Sequence, residues 1–251
     1  MSDELVHLDI ADQVATITLD SERNRNALSR QLLTELAAHL STAGAAEQVR
    51  VIVLRSASRV FCSGADLSEA AEGAMEAGAR AIVDLQRQLA TSEKPIVVGL
   101  AGPVRAGGLG IVGAADVVIA AESVSFALTE VRLALAPAVI SLTLLSRMSE
   151  RAAAETFLTA RTFSAVEAAS MGLITRVVPD DQLSAVLDEV TAQIAQGYPQ
   201  GLAATKKLLN RDLVARIDAL ADEVATVSAE LFNSEQARTA IMAFFSRQLT
   251  R

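Results

Sequence analysis

Cysteine occurs once in these 251 residues, histidine twice, tyrosine once and tryptophan not at all. The lone Cys62 excludes a disulfide framework. His7 and His39 lie far from it along the chain and read as surface residues, so no cysteine/histidine zinc pattern is present. Lysine is scarce too, and acidic residues outnumber basic ones by 30 to 22, a net charge of −8. Phosphate backbones and anionic bilayers demand clustered cations, which argues against nucleic acid and against a membrane surface as partners. Aromatics make up only 3% of the chain, yet hydrophobic residues reach 51%, enough to exclude disorder and to build a core from Ala and Val. Asp3, Glu4 and Asp9 stand where a signal peptide would have a basic start and an apolar run. The longest uncharged stretches contain Pro95 and Pro103, or Pro137, and fall short of the roughly 20 residues of a membrane span. A soluble, cytoplasmic protein is expected.

What is present is alternation between two periods. Val14, Thr16 and Thr18 against Ala15, Ile17 and Leu19 predict a strand. Residues 21–26 are polar and turn-like, and Leu32, Leu33, Leu36 and Leu40 share one side of a helix over 28–40 with Ser29 as its N-cap. Unbroken apolar runs at 51–54, 95–99 and 117–121 predict strands buried on both faces. A helix rich in Ala and Glu ends near residue 92, and a small-residue helix opens at 106. Beyond residue 126 helices dominate, with a break at 197–199. The expectation is one α/β domain, a mostly parallel sheet with crossover helices followed by a helical tail.

Three constellations can carry chemistry. Residues 61–67 (FCSGADL) follow the strand at 51–54; Gly64 lets backbone N–H groups face a ligand, and Asp66 can cap the next helix. Read alone, this is also an ordinary strand-to-helix turn. Residues 101–110 (AGPVRAGGLG) follow the strand at 95–99 and lead into a helix whose first N–H groups suit an oxyanion. Their G-G-x-G spacing and the lack of a following acidic ribose partner set them apart from a dinucleotide fingerprint. Glu130, in residues 126–133 (FALTEVRL), is either an acid in apolar surroundings with a raised pKa or half of a surface pair with Arg132. Together, two glycine turns and a carboxyl make the layout for stabilising an enolate and moving a proton beside it.

At nearly full length the chain resembles the crotonase superfamily, the enoyl-CoA hydratase/isomerase family. The likeness rests on residues 25–28 (RNAL), 61–66 (FCSGAD), 102–108 (GPVRAGG), Ala115 and Asp116, and the Phe126–Glu130 spacing. It continues through 168–174 (AASMGLI), 177–179 (VVP) and 204–207 (ATKK). The resemblance implies an α/β, crotonase-like superhelix of ββα repeats with C-terminal helices that drive trimerisation. Residues 1–195 would form the core, and 196–251 a helical region that is not an independent domain. It implies a homo-oligomer, a trimer or a dimer of trimers, and an acyl-CoA thioester as partner. No metal or redox cofactor is implied; CoA arrives as part of the substrate.

Carried over by position, Ala65 and Gly107 match the backbone donors of the family's oxyanion hole, and Glu130 its acid/base. Ser63, Gly64, Asp66 and Leu67, together with Gly108, belong to the loops that hold CoA, and Arg25 and Ala27 to the first loop that touches it. Phe244 and Arg247 resemble positions that approach the nucleotide from a neighbouring subunit. The departures concern the reaction. Hydratases of the family present a second glutamate, and the matching position here is Gly110. The glycine-rich loop after the family's proline is replaced by residues 137–140 (PAVI), a more apolar acyl lining. Hydration of a trans-2-enoyl-CoA through the oxyanion hole and a single glutamate is the leading reading. Moving a double bond between positions 2 and 3, and binding acyl-CoA without catalysis, are the alternatives.

Four further residues invite readings of their own. Arg105 either binds an acidic acyl tail or faces solvent. Cys62 reads as a small buried hydrophobe. Lys206 and Lys207 either attract CoA phosphates or line an exposed helix face.

Overall fold

The computed structural model describes residues 4–69 and 75–249, the last three of these as backbone only. Its strands are β1 (Val6–Ala11), β2 (Val14–Leu19), β3 (Val51–Ser56), β4 (Ile96–Leu100), β5 (Val104–Arg105), β6 (Val117–Ala121), β7 (Ser125–Ala127), β8 (Phe163–Ser164) and β9 (Arg176–Val178). Six of them form one sheet in the order β1-β2-β3-β4-β6-β9, antiparallel only between β1 and β2. A smaller sheet has the order β5-β7-β8. Every residue of β4 and the first four of β3 are buried, the pattern of parallel strands covered on both faces.

The helices are α1 (Arg30–Ala45), α2 (Met75–Thr91), α3 (Gly108–Ala114), α4 (Ala138–Leu144), α5 (Glu150–Thr159), α6 (Ala165–Ser170), α7 (Leu183–Ala195), α8 (Pro199–Leu209), α9 (Arg211–Phe232) and α10 (Glu235–Leu249). Ser29 caps α1, its Oγ accepting from the Leu32 N–H at 3.3 Å. Pro199 opens α8 at a position where a missing N–H costs nothing. None of the described helices is long and apolar enough to cross a membrane.

Several expectations need correction. β1 pairs with β2, although its alternation was not singled out. The helical tail is interrupted by β8 and β9, segments of two and three residues, too short to show a period. α3 starts at Gly108, since Ala106 has φ +46 and cannot begin a right-handed helix. Asp66 caps a local turn and not α2: its Oδ1 accepts from Ser68 N at 3.0 Å and Ser68 Oγ at 2.6 Å. His39 is half-buried, with Nε2 2.9 Å from the Val6 carbonyl.

Residues beyond 195 pack on α2 and α4 through a smaller apolar cluster, separate from the main core. α9 packs along α2 and α4, with Leu213 and Ile217 buried against Val83, Ala90 and Leu142. A buried polar clamp fixes the α8–α9 corner. Lys206 Nζ lies 2.8 Å from Asp116 Oδ2 and donates to the Leu89 and Lys94 carbonyls. Asn210 Nδ2 donates to Asp116 Oδ1 at 2.9 Å, and Arg147 donates to Asn210 Oδ1. Lys206 therefore neither meets CoA phosphates nor lines an exposed face; Lys207 alone is exposed. Removing one partner of such a pair leaves a buried charge. Lys206→Met is expected to lower the unfolding free energy by about 3 kcal/mol in a urea titration; a change under about 1 kcal/mol would deny the clamp its role.

Candidate active site

Parallel strands deliver the loops of the site to one end of the sheet. The loop after β3 and the loop after β4 then lock together. Arg105 N–H donates to the Cys62 carbonyl at 2.9 Å, and Cys62 and Val104 form a bridge. The approach admits no side chains. A Cβ on Gly64 (φ +99) would stand 2.8 Å from Ala106 Cβ, and one on Gly108 would stand 2.7 Å from Cys62 Cβ. A Cβ on Gly107 would lie 3.4 Å from Ala65 N, which sets the Ala65 and Gly107 amides side by side. Neither amide finds an acceptor among the described residues, and both residues border the same cavity. Two unspent backbone donors facing a cavity are built to receive an anionic oxygen.

The first loop closes against this pair. Asn26 is fully buried and donates through Nδ2 to Ser56 Oγ and to the Val60 and Phe61 carbonyls, while Ser21 N–H donates to its Oδ1. Leu28 N–H donates to the Gly64 carbonyl at 2.8 Å and Ser63 N–H to the Arg25 carbonyl at 3.1 Å. Ser63 Oγ is occupied by the Asn24 carbonyl, which makes its hydroxyl a loop tie.

Glu130 reaches the cavity from the smaller sheet. β5 and β7 run parallel with Val104 opposite Phe126 and Arg105 opposite Ala127, and Ala106 N–H donates to the Ala127 carbonyl. That register carries the chain from β7 into the short helical turn Glu130–Leu133 beside Gly107. Phe126 and Phe163 stack beneath it, ring centroids 5.5 Å apart. Glu130 Oε2 is shut off from solvent and has no hydrogen-bond partner. Burial pushes the carboxyl up to about 7, opposed only by its own backbone N–H. Glu130 makes no ion pair with Arg132.

The cavity measures about 1190 Å³ and is bordered by Glu130, Ala65, Gly107, Arg25, Ala27, Ser63, Asp66, Leu67 and Phe244. Gly64 and Gly108 stand behind its wall, where they permit the loop contact. Phe244 borders this cavity as well, alongside Phe245. Arg247 belongs to α10, and its side chain lies outside the described residues. Arg105 does not border the cavity: it is half-buried, and its guanidinium donates to the Val104 and Ser125 carbonyls and to Ser125 Oγ. Cys62 is buried, and its thiol is pushed up to about 12 by burial, which leaves it inert.

Gln86 was missed. It occupies an apolar-stripe position on α2 between Ile82 and Leu89, and that placement was its only signal. It is fully buried, donates to the Ile82 and Val139 carbonyls, and accepts from Thr143 Oγ1 at 2.9 Å. A Cβ at Gly110 would stand 2.9 Å from Ile140 Cγ2 and 3.1 Å from Gln86 Cδ. The space beside Gly110 is thus filled, and Glu130 borders the cavity together with the paired amides.

A family model described as enoyl-CoA hydratase/isomerase matches residues 9–249. A crystal structure of an enoyl-CoA hydratase from Mycobacterium avium shares 41% identity and superposes with a TM-score of 0.91 over 98% of each chain. A Rhodobacter capsulatus protein named "Probable enoyl-CoA hydratase" is 33% identical over 252 residues, 99% of this chain and 97% of that one. An Arabidopsis thaliana protein named as a peroxisomal Delta(3,5)-Delta(2,4)-dienoyl-CoA isomerase is 26% identical over 268 residues, covering 99% of this chain and 95% of that one.

The raised Glu130 pKa also bears on stability. In the unfolded chain the carboxyl titrates near its ordinary value of 4.5, in the folded chain at about 7. Its favourable contribution is whole below 4.5 and is lost as pH rises through 7, a swing of about 3 kcal/mol. Urea unfolding at pH 5 and pH 8 is expected to show Glu130→Gln gaining stability over the parent as pH rises; a pH-independent difference would contradict the buried carboxyl.

Proposed function

This chain belongs to the enoyl-CoA hydratase/isomerase family, and on that premise we propose that it hydrates a trans-2-enoyl-CoA with Glu130 as its single acid/base. The observation that carries this reading is the buried Glu130 carboxyl bordering the same cavity as the unspent Ala65 and Gly107 amides.

The thioester oxygen enters between the two amides. Water attacks C3 and gives its proton to the Glu130 carboxylate, while the C2=C3 pair moves toward the thioester and leaves an enolate oxygen on the amides. Glu130 then delivers the proton to C2, and water has been added across the double bond. A carboxyl near 7 suits both halves, since each form is accessible at neutral pH. Each amide is worth about 10²–10³ in rate. Arg23 and Arg25 at the cavity mouth suit the phosphates of CoA, the only group required besides the acyl chain.

One observation favours a second reading. The position where the resemblance places a second glutamate is Gly110, closed off by Ile140 and Gln86. With one carboxyl, Glu130 can take a proton from C2 of a 3-enoyl-CoA and return it to C4, with the enolate held on the same amides. The proposal extends to a trimer or dimer of trimers in the cytoplasm; exposed Leu208 and Leu209 on α8, with Tyr198 at its N-cap, offer apolar surface for self-association.

Mass-resolved turnover of 2-enoyl- and 3-enoyl-CoA thioesters tests the reading. Hydration gives a product heavier by one water. Glu130→Gln is expected to lower kcat/KM by about 10²–10⁴. In the parent, kcat/KM falls about tenfold per pH unit below 7, as the base is protonated. A shifted double bond at unchanged mass selects the isomerase. Binding without turnover selects a non-catalytic acyl-CoA binder.

A further inference from the structure

The acyl end of the cavity carries a polar group that nothing in the chain uses. α9 runs antiparallel to α2: Arg87 pairs with Asp218, and Arg80, seven residues earlier, with Asp222. Ser228, six residues beyond Asp222, therefore stands at the start of α2, beside Met75 and Gly78, and all three border the cavity. Ser228 is 7% exposed. Serines within helices usually return their hydroxyl to the carbonyl four residues back, as Ser41 and Ser246 do here. Ser228 makes no such bond and has no other partner among the described residues. Its hydroxyl is not among the atoms sealed from solvent, so a polar group of a ligand in the cavity can take it as a partner.

Beside it, Gly78 sits within α2 at a cost of about 1 kcal/mol against alanine. A Cβ added there meets no atom within 4 Å, so no neighbour requires the glycine. Its effect is room in the cavity. None of the residues that α2, α4 and α9 give to the cavity carries a charge, which suits a neutral group and not a carboxylate.

Resting on the reading of this cavity as an acyl-CoA site, we propose that Ser228 selects an acyl group bearing a neutral hydroxyl or oxo substituent, accommodated in the space left at Gly78. Ser228 is thus a specificity-determining residue of the acyl branch, and unsubstituted alkyl chains are the poorer substrates.

The test compares 2-hexenoyl-CoA with its 5-hydroxy, 6-hydroxy and 5-oxo counterparts on the full chain. The parent is expected to prefer at least one substituted thioester by kcat/KM, and Ser228→Ala to cut that preference about threefold to tenfold. Gly78→Leu is expected to lower kcat/KM for the substituted thioesters more than for crotonyl-CoA. No preference in the parent, or a preference that Ser228→Ala leaves intact, would overturn the proposal. Calorimetric binding of the saturated hexanoyl-CoA counterparts keeps the two readings apart. A chain without turnover that still loses its substituent preference in Kd on Ser228→Ala retains this inference and sinks the hydratase. A chain with turnover and an unmoved preference does the reverse.

Discussion

A backbone contact too close for any Cβ holds this site together. Where the loop after β3 meets the loop after β4, Gly64 and Gly108 press against Ala106 and Cys62, which leaves Gly107 in ordinary contact with the Ala65 amide. Parallel strands bring both loops to the same end of the sheet, and the Cys62–Arg105 hydrogen bond sets their register. The consequence is that two amides with no acceptor of their own face one cavity. Such donors cost nothing to reorganise when a thioester oxygen gains charge, because the sheet has already fixed them. Ala106, held at φ +46, is part of the same strain.

The carboxyl that borders the cavity with those amides is governed by the same economy. Glu130 is carried in by β7 through its pairing with β5, and β5 is continuous with the loop that holds Gly107. One short sheet therefore sets the distance between base and oxyanion donors. Its burial raises the carboxyl to about 7, the range that the proposed proton transfer from water to carbon would use. Gln86, Thr143 and Ile140 fill the space where another carboxyl would have to stand. The Lys206–Asp116 clamp orients the corner from which α9 runs to the acyl wall.

Much of this was legible in the residues. Glycines at the ends of apolar runs marked both donor loops, and Leu32, Leu36 and Leu40 with Ser29 marked α1 and its cap. Glu130 stood out as an acid among apolar neighbours, though its pairing with Arg132 stayed open until its partnerless Oε2 was located. β5, β7 and β8 were not legible, because strands of two or three residues have no period to read. Lys206 was misread because helical spacing gives no hint that an ammonium is buried against an aspartate 90 positions earlier. Phe244 joins the cavity wall through the packing of α10, which sequence spacing does not reveal.

The proposed chemistry depends on the Ala65 and Gly107 amides binding and polarising the thioester oxygen. Raman difference spectroscopy of a 2-enoyl-CoA labelled with ¹³C at C1, bound to Glu130→Gln, measures this without turnover. The account predicts a thioester carbonyl band at lower wavenumber than for the same compound in water. A carbonyl band unmoved on binding would contradict it.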